Sequence, residues 1–219
     1  MKSNRLEKIF IPFGMLGVIS YLVHTTLGDY MWADYNPVTM DISSLTAKGA
    51  PNAGLLGIFT LIYGVFAVIF GVGMILRAYR AYNKNLGIGY IVFLAMQVIS
   101  FIGYKLIPIV NDKYLMSLQN TMNIIVTGLV VGLTIIFAFL IAYGYLKQPK
   151  TKKFGKITMV LAALIAVFGV FNLIAMSMGL NILGVSERLV IFSLMVLIFS
   201  ISNFESFANL EYIDIKKEN

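Results

Sequence analysis

The residues with the most chemical potential are few in this mostly apolar chain. His24 is the only histidine, and cysteine is absent. One imidazole does not supply the two or three histidines of a usual zinc site, and it excludes a haem held by two histidines of one chain. His24 is therefore a weak candidate for a catalytic base or for a metal ligand completed by carboxylates. A buried structural histidine is the alternative.

Amide and charged side chains form a second set, which we expect at one end of the molecule. Asn120, Asn123 and Thr127 recur at spacings of three and four, so they share one helix face. Glu187 and Arg188 are adjacent at the start of the last apolar segment. Cations can hold an anionic group while amides orient it. We predict a polar recess lined by Asp41, Asn52, Lys105, Asn120, Asn123, Glu187 and Arg188.

Each of these residues also has a purely structural interpretation. Lys105 can extend to the lipid headgroups, and Asn123 can form a hydrogen bond between helices. Glu187 and Arg188 can form an exposed ion pair of little energetic effect. No nucleotide-binding glycine loop, HExxH or GxSxG motif is present. An enzymatic function is thus less favoured than a binding function, and no cofactor or metal is predicted.

Membrane-spanning helices must position these residues, because the composition is too apolar for a soluble domain. Hydrophobic residues make up 59% of the 219 residues and charged residues 12%, and the mean hydropathy is +0.85. We predict an all-α polytopic membrane protein, since helices satisfy their own backbone in lipid. Residues 1–219 form one domain with six spans, at 9–27, 54–77, 87–109, 119–146, 157–180 and 189–208.

The first connection is the longest polar interruption, and it predicts a short interfacial helix. Pro37 favours a turn, Asp41 can cap the helix through a backbone N–H, and Gly49 can take the left-handed conformation after its end. Ile42 and Leu45 then lie on one side, so the helix rests on the membrane or on the bundle.

Charge in the connections predicts the orientation. The amino end and the second and fourth connections are basic, whereas the first, third and fifth are mixed or acidic. By the positive-inside rule both termini are cytoplasmic and the first connection lies outside. The formal charge of +7 is read as this orientation signal, and nucleic acid is not expected as a partner. Glu205, near the inner end of the last span, is expected to reach the membrane interface.

Small residues recur along several spans and predict close helix packing. Gly57, Gly64 and Gly71 belong to one stripe in the second span. Gly128 and Gly132 form a similar stripe in the fourth. Asn172 of the fifth span is expected to form a hydrogen bond to another helix.

Several motifs together resemble the domain of unknown function 998 family, which consists of six-span prokaryotic membrane proteins. They are Tyr35-Asn-Pro-Val-Thr-Met-Asp-Ile-Ser-Ser-Leu45, Gly49-Ala-Pro-Asn-Ala53, Pro108-Ile-Val-Asn-Asp112, Gln119-Asn-Thr-Met-Asn-Ile-Ile-Val-Thr127 and Gly184-Val-Ser-Glu-Arg-Leu189. The resemblance covers most of the chain. It implies the six-helix fold and an outward-facing cluster of motifs, and it assigns no activity.

Three functions are compatible with these patterns. The leading hypothesis is a multi-pass protein of a prokaryotic plasma membrane that binds or transports a lipid headgroup or small amphiphile at an outward-facing polar vestibule. The first alternative is an accessory subunit that contacts a membrane-protein partner through small-residue stripes. The second is a membrane-embedded lipid hydrolase that uses His24 or an aspartate.

Overall fold

Seven α-helices account for most of the chain in the computed structural model, which describes residues 5–47, 49–107 and 118–207. No strand occurs in these ranges. The helices are α1 (Arg5–Phe10), α2 (Phe13–Met31), α3 (Ala53–Ala81), α4 (Lys84–Leu106), α5 (Leu118–Leu146), α6 (Lys152–Ser177) and α7 (Leu183–Phe207). Short 3-10 helices lie at Ile42–Thr46 and Pro149–Thr151. The third connection and the carboxyl-terminal tail fall outside the described residues.

The structure has six helices long and apolar enough to cross a membrane, one each from α2 to α7. The predicted all-helical fold with six spans is confirmed, and the chain is a multi-pass membrane protein. Most boundaries lie within a few residues of the prediction. The fifth span is the largest exception, because α6 already begins at Lys152. The second span also runs further than predicted, since α3 continues to Ala81 and carries Arg77 inside the helix.

The first predicted span is interrupted near its start. Pro12 has no backbone N–H, and it separates α1 from α2 at a two-residue turn. Ser202 of α7 bridges the break, since its hydroxyl accepts from the Met15 N–H at 3.1 Å and donates to the Ile11 carbonyl at 2.7 Å. The last helix thus supplies hydrogen bonds to backbone groups on both sides of the interruption.

The spans form a closed ring in chain order. Each helix from α2 to α7 packs on the next, and α7 packs against α2. Aromatic rings fill the middle of the ring, where Phe93 meets Phe70 and Phe137 edge to face at centroid distances of 5.8 and 5.1 Å. This apolar centre separates a polar cluster at one end of the bundle from another at the opposite end.

The predicted packing role of the small residues holds for only some of them. A Cβ on Gly64 would meet the Phe101 ring at 2.7 Å, and one on Gly71 would meet the Phe93 ring at 3.2 Å. By contrast, Gly57, Gly128 and Gly132 have no neighbour within 4 Å of such a Cβ in the described part of the chain. The expectation that these three glycines pack inside the bundle is therefore wrong.

Candidate functional site

The first connection folds onto one end of the ring, which we call the first-loop end. The short helix predicted in this connection is a 3-10 helix, Ile42–Thr46, and its placement at a membrane interface stays a prediction. Ile42 and Leu45 are fully buried, and they pack with Tyr35 and Leu56 in a small apolar cluster. Gly49 takes a positive φ of 92°, as the turn requires.

The 3-10 helix is not capped as the sequence predicts. Asp41 makes no side-chain bond to a backbone N–H of the helix. Its carboxylate instead accepts from the hydroxyls of Ser43 and Ser44. The backbone N–H of Ile42 donates to Oε2 of Glu187 at 2.5 Å. A carboxylate from α7 therefore caps the helix of the first connection.

Arg188 fastens the same connection to α7. Its Nη1 donates to the carbonyls of Pro37 at 2.7 Å, Met40 at 3.1 Å and Gly184 at 3.0 Å. Its Nη2 donates to the Tyr35 hydroxyl at 2.8 Å. The planar fork of guanidinium allows one side chain to serve several acceptors in this way.

Gly184 explains why the connection can lie so close to α7. A Cβ on Gly184 would overlap the carbonyl oxygens of Pro37 and Met40, so glycine allows the approach.

Burial raises the pKa of Tyr35, with the hydrogen bond from Arg188 acting in the opposite direction. The phenol therefore stays protonated at neutral pH and donates to the carbonyl of Asp41 at 2.9 Å.

An apolar groove lies beside Arg188 on the outer face of the bundle. It runs between α6 and α7 and has a volume of about 380 Å³. Most of its walls are aliphatic or aromatic. The lining residues are Leu161, Leu164, Val185, Arg188, Leu189, Phe192, Ser193 and Val196.

The structure brings together three of the predicted recess residues, namely Asp41, Glu187 and Arg188. Asn52 is exposed at the start of α3 in the left-handed conformation, with φ of 60°. Asn123 is buried and donates to the Ile107 carbonyl at 2.6 Å, which links α5 to the end of α4. The side chains of Lys105 and Asn120 lie outside the described part of the structure.

His24 is buried in α2, and neither of its ring nitrogens has a hydrogen-bond partner among the residues that the structure describes. It is 2% exposed. Its ring lies beside that of Tyr21, at a centroid distance of 5.4 Å. Among the described residues, no three His, Cys, Asp or Glu side chains lie close enough to hold a metal ion.

Replacing His24 by leucine is expected to stabilise the protein. The substitution removes two buried polar atoms without partners, each of which costs about 1–3 kcal/mol. Unfolding in mixed detergent micelles, followed by helical circular dichroism, should show a higher midpoint for His24→Leu, whereas His24→Gln should show none. A lower midpoint for His24→Leu would contradict the unpartnered state of the ring.

A second polar cluster lies at the opposite end of the bundle, which we call the termini end. Glu205 of α7 has a side chain with no exposed surface. Its Oε1 accepts from the hydroxyls of Tyr82 at 2.8 Å and Tyr145 at 2.6 Å. Tyr145 in turn shares a hydrogen bond of 2.8 Å with Tyr90. Burial and the charge of Glu205 raise the pKa of Tyr82 well above its ordinary value, so Tyr82 acts as a neutral donor.

Arg77 supplies the countercharge for Glu205. Its Nε lies 2.6 Å from Oε2 of Glu205, yet the geometry is not that of a hydrogen bond. We treat the contact as a charge pair, because proximity alone lowers the cost of both buried charges. A second pair lies nearby, in which Arg80 binds both carboxylate oxygens of Glu7, at 3.0 and 2.5 Å.

Sequence reasoning missed this cluster. The expectation that Glu205 reaches the membrane interface is wrong, because the carboxylate points into the bundle and is held there by Arg77 and two tyrosines. One signal was present in the sequence. Tyr82 and Tyr145 lie beside helix ends at the same depth as Glu205, and a carboxylate at that depth needs such donors.

Comparison with known proteins gives one result. A family model described as a protein of unknown function, DUF998, matches residues 15–202. No curated protein and no solved structure matches the chain.

Proposed function

We propose a lipid-binding function for this chain, which belongs to the DUF998 family of proteins of unknown function. In this proposal the groove between α6 and α7 holds the acyl chain of a lipid or small amphiphile. Arg188, at the first-loop end of the groove, holds an anionic headgroup. The observation that carries the proposal is an apolar groove of about 380 Å³ with one arginine in its lining.

The groove has the size and chemistry of a site for one hydrocarbon chain. Pockets for small ligands enclose about 300–1,000 Å³ and are mostly apolar, with a few polar groups that fix orientation. Here Leu164, Phe192 and Val196 supply apolar walls. These side chains are partly exposed on the bundle surface, so a lipid can enter sideways from the bilayer.

Arg188 can offer its formal positive charge to a ligand. All its hydrogen-bond acceptors in the described structure are neutral, namely three carbonyls and the Tyr35 hydroxyl. No carboxylate of the described residues forms an ion pair with it. A cation held rigidly at the edge of an apolar groove suits a phosphate or carboxylate headgroup.

The predicted orientation gives this site a location. If both termini are cytoplasmic, the first-loop end and Arg188 lie in the outer leaflet of the plasma membrane. Asp41 and Glu187 hold the first connection in place, since their carboxylates accept from the Ser43 hydroxyl and the Ile42 N–H, and their direct contact with a ligand stays a prediction. Direct ligand contacts from Asn52, Lys105, Asn120 and Asn123 stay predictions.

Filling the groove should remove bound lipid. We expect Leu164→Trp to occupy much of the volume and to reduce copurifying anionic lipid at least about tenfold, as expected when more than about 1.4 kcal/mol of apolar contact is lost. Native mass spectrometry of protein purified in mild detergent, before and after addition of phosphatidylglycerol, measures this.

Val167→Trp is the matched control, since Val167 is exposed on the same helix and does not line the groove. It should bind lipid as the unmodified protein does. Equal binding by Leu164→Trp and Val167→Trp would refute the groove as the site. A copurifying membrane protein in place of lipid would favour the accessory-subunit function.

A further inference from the structure

The connection between α5 and α6, at the termini end, carries an exposed cluster of lysines. Five lysines fall within ten residues, and all are exposed: Lys147, Lys150, Lys152, Lys153 and Lys156. No Asp or Glu occurs anywhere between Asp112 and Glu187 in the sequence. We refer to residues 147–156 as the lysine turn.

The lysine turn is held in a fixed shape by buried contacts. Thr151 has no exposed surface, and its hydroxyl donates to the Tyr145 carbonyl at 2.8 Å. A Cβ on Gly155 would lie 2.5 Å from the backbone nitrogen of Leu146, so the start of α6 is packed directly against the end of α5. The lysines therefore project from a rigid support.

Three of the lysines occupy an unfavourable place within the chain itself. Lys152, Lys153 and Lys156 lie in the first two turns of α6, where the helix dipole is positive and favours carboxylates. The buried carboxylates of this end give no compensation, because Glu7 and Glu205 are paired with Arg80 and Arg77. Within the described ranges no carboxylate of this end is left to offset Lys152, Lys153 and Lys156, and a local rule broken in this way points to an external anion.

We propose that the lysine turn is a docking site for the headgroups of anionic phospholipids. Its position beside two membrane-spanning helices places it at the headgroup level of the bilayer, and clusters of four or more lysines there favour anionic lipid. The Lys147 ammonium lies 4.7 Å from the centroid of the Tyr143 ring, which adds an aromatic support typical of that level. The site lies at the opposite end of the bundle from the groove, in the other leaflet.

The test compares two double variants of the full chain that remove the same charge. Lys152→Gln/Lys156→Gln alters the lysine turn. Lys8→Gln/Lys84→Gln removes two exposed lysines elsewhere at the termini end. Each lysine near an anionic surface contributes about 1 kcal/mol, so the first variant should bind phosphatidylglycerol about thirtyfold more weakly. The second should change less than about threefold.

Binding is measured by titrating the detergent-solubilised protein with phosphatidylglycerol, with phosphatidylcholine in parallel. We expect saturable binding of the anionic lipid that weakens with salt, and little binding of the zwitterionic one. Equal losses in both double variants, or equal binding of both lipids, would overturn the proposal. Competition by inorganic phosphate at the same concentration would show a free-phosphate site instead. All titrations carry Leu164→Trp, which fills the groove, so the binding that is measured belongs to the lysine turn and its loss is distinguishable from loss of the groove site.

Discussion

Replacing Glu205 by alanine is expected to destabilise the protein by about 3–5 kcal/mol, the usual cost of removing one partner of a buried ion pair. The variant leaves the Arg77 guanidinium, whose side chain is 11% exposed, without its countercharge. It also removes the acceptor of the Tyr82 and Tyr145 hydroxyls. Helices α3, α5 and α7 and the turn after α3 meet at this one carboxylate, so their packing should loosen together. Unfolding in mixed micelles measures the loss.

Glu7→Ala is the matched control for Glu205→Ala. It also removes the carboxylate of a glutamate–arginine pair at the termini end, but its partner Arg80 has a side chain that is 26% exposed. Water can solvate that arginine after the change, so the expected loss is about 1 kcal/mol. A loss for Glu205→Ala no larger than that for Glu7→Ala would show that the buried cluster contributes little.

Removing both charges together tests whether the loss of stability comes from an unpaired buried charge or from changed packing. A buried pair replaced by apolar residues of similar volume is often neutral or stabilising. We therefore expect Arg77→Met/Glu205→Leu to recover much of the stability that Glu205→Ala loses, apart from the two tyrosine hydroxyls left without an acceptor. This recovery marks the desolvated charge of Arg77 as the main cause of the loss.

The spans were predictable because lipid imposes a simple requirement on length and polarity. An apolar run of about 20 residues crosses the bilayer as a helix whatever its neighbours are. The helix break at Pro12 was not predicted, because the hydrogen bonds across it come from Ser202, which is 190 residues away along the chain. No local pattern contains such a partner.

The two polar clusters differ in how far they could be predicted from the sequence. Glu187, Arg188 and Asp41 were expected at one end, and the structure brings them together there. Their partners were not predictable, since Arg188 binds backbone carbonyls that carry no residue signature. The sequence predicts the depth of Glu205 along the last span. The direction of its side chain, however, depends on the rotation of α7 within the ring.

The groove shows the same limit. Its walls are apolar residues on two lipid-facing helix surfaces, and such residues are typical of any span. Only the fit of α6 against α7 separates a groove from a filled interface, and that fit depends on side-chain shape rather than on hydropathy. The lysine turn was visible in the sequence, but its charges were interpreted there only as an orientation signal.

Replacing Arg188 by alanine is expected to release the first connection from α7. Hydrogen bonds to a charged group contribute about 1.5–3 kcal/mol, and the variant leaves Pro37, Met40 and Tyr35 without their common donor. We expect the free energy of local opening to fall by about 3 kcal/mol. Amide hydrogen exchange in the 35–47 segment should then become about a hundredfold faster, as measured by mass spectrometry of that peptide.

Arg188→Lys should release the connection nearly as much as Arg188→Ala, because an ammonium group cannot present the planar fork that reaches several acceptors. Arg80→Ala, which removes an arginine at the termini end, should leave exchange in the 35–47 segment unchanged. If Arg188→Lys protects the segment fully, then the positive charge alone holds the connection. If neither Arg188 variant speeds exchange, the hydrogen bonds from Arg188 do not hold the first connection against α7. The rigid placement of Arg188 beside the groove would then have another cause.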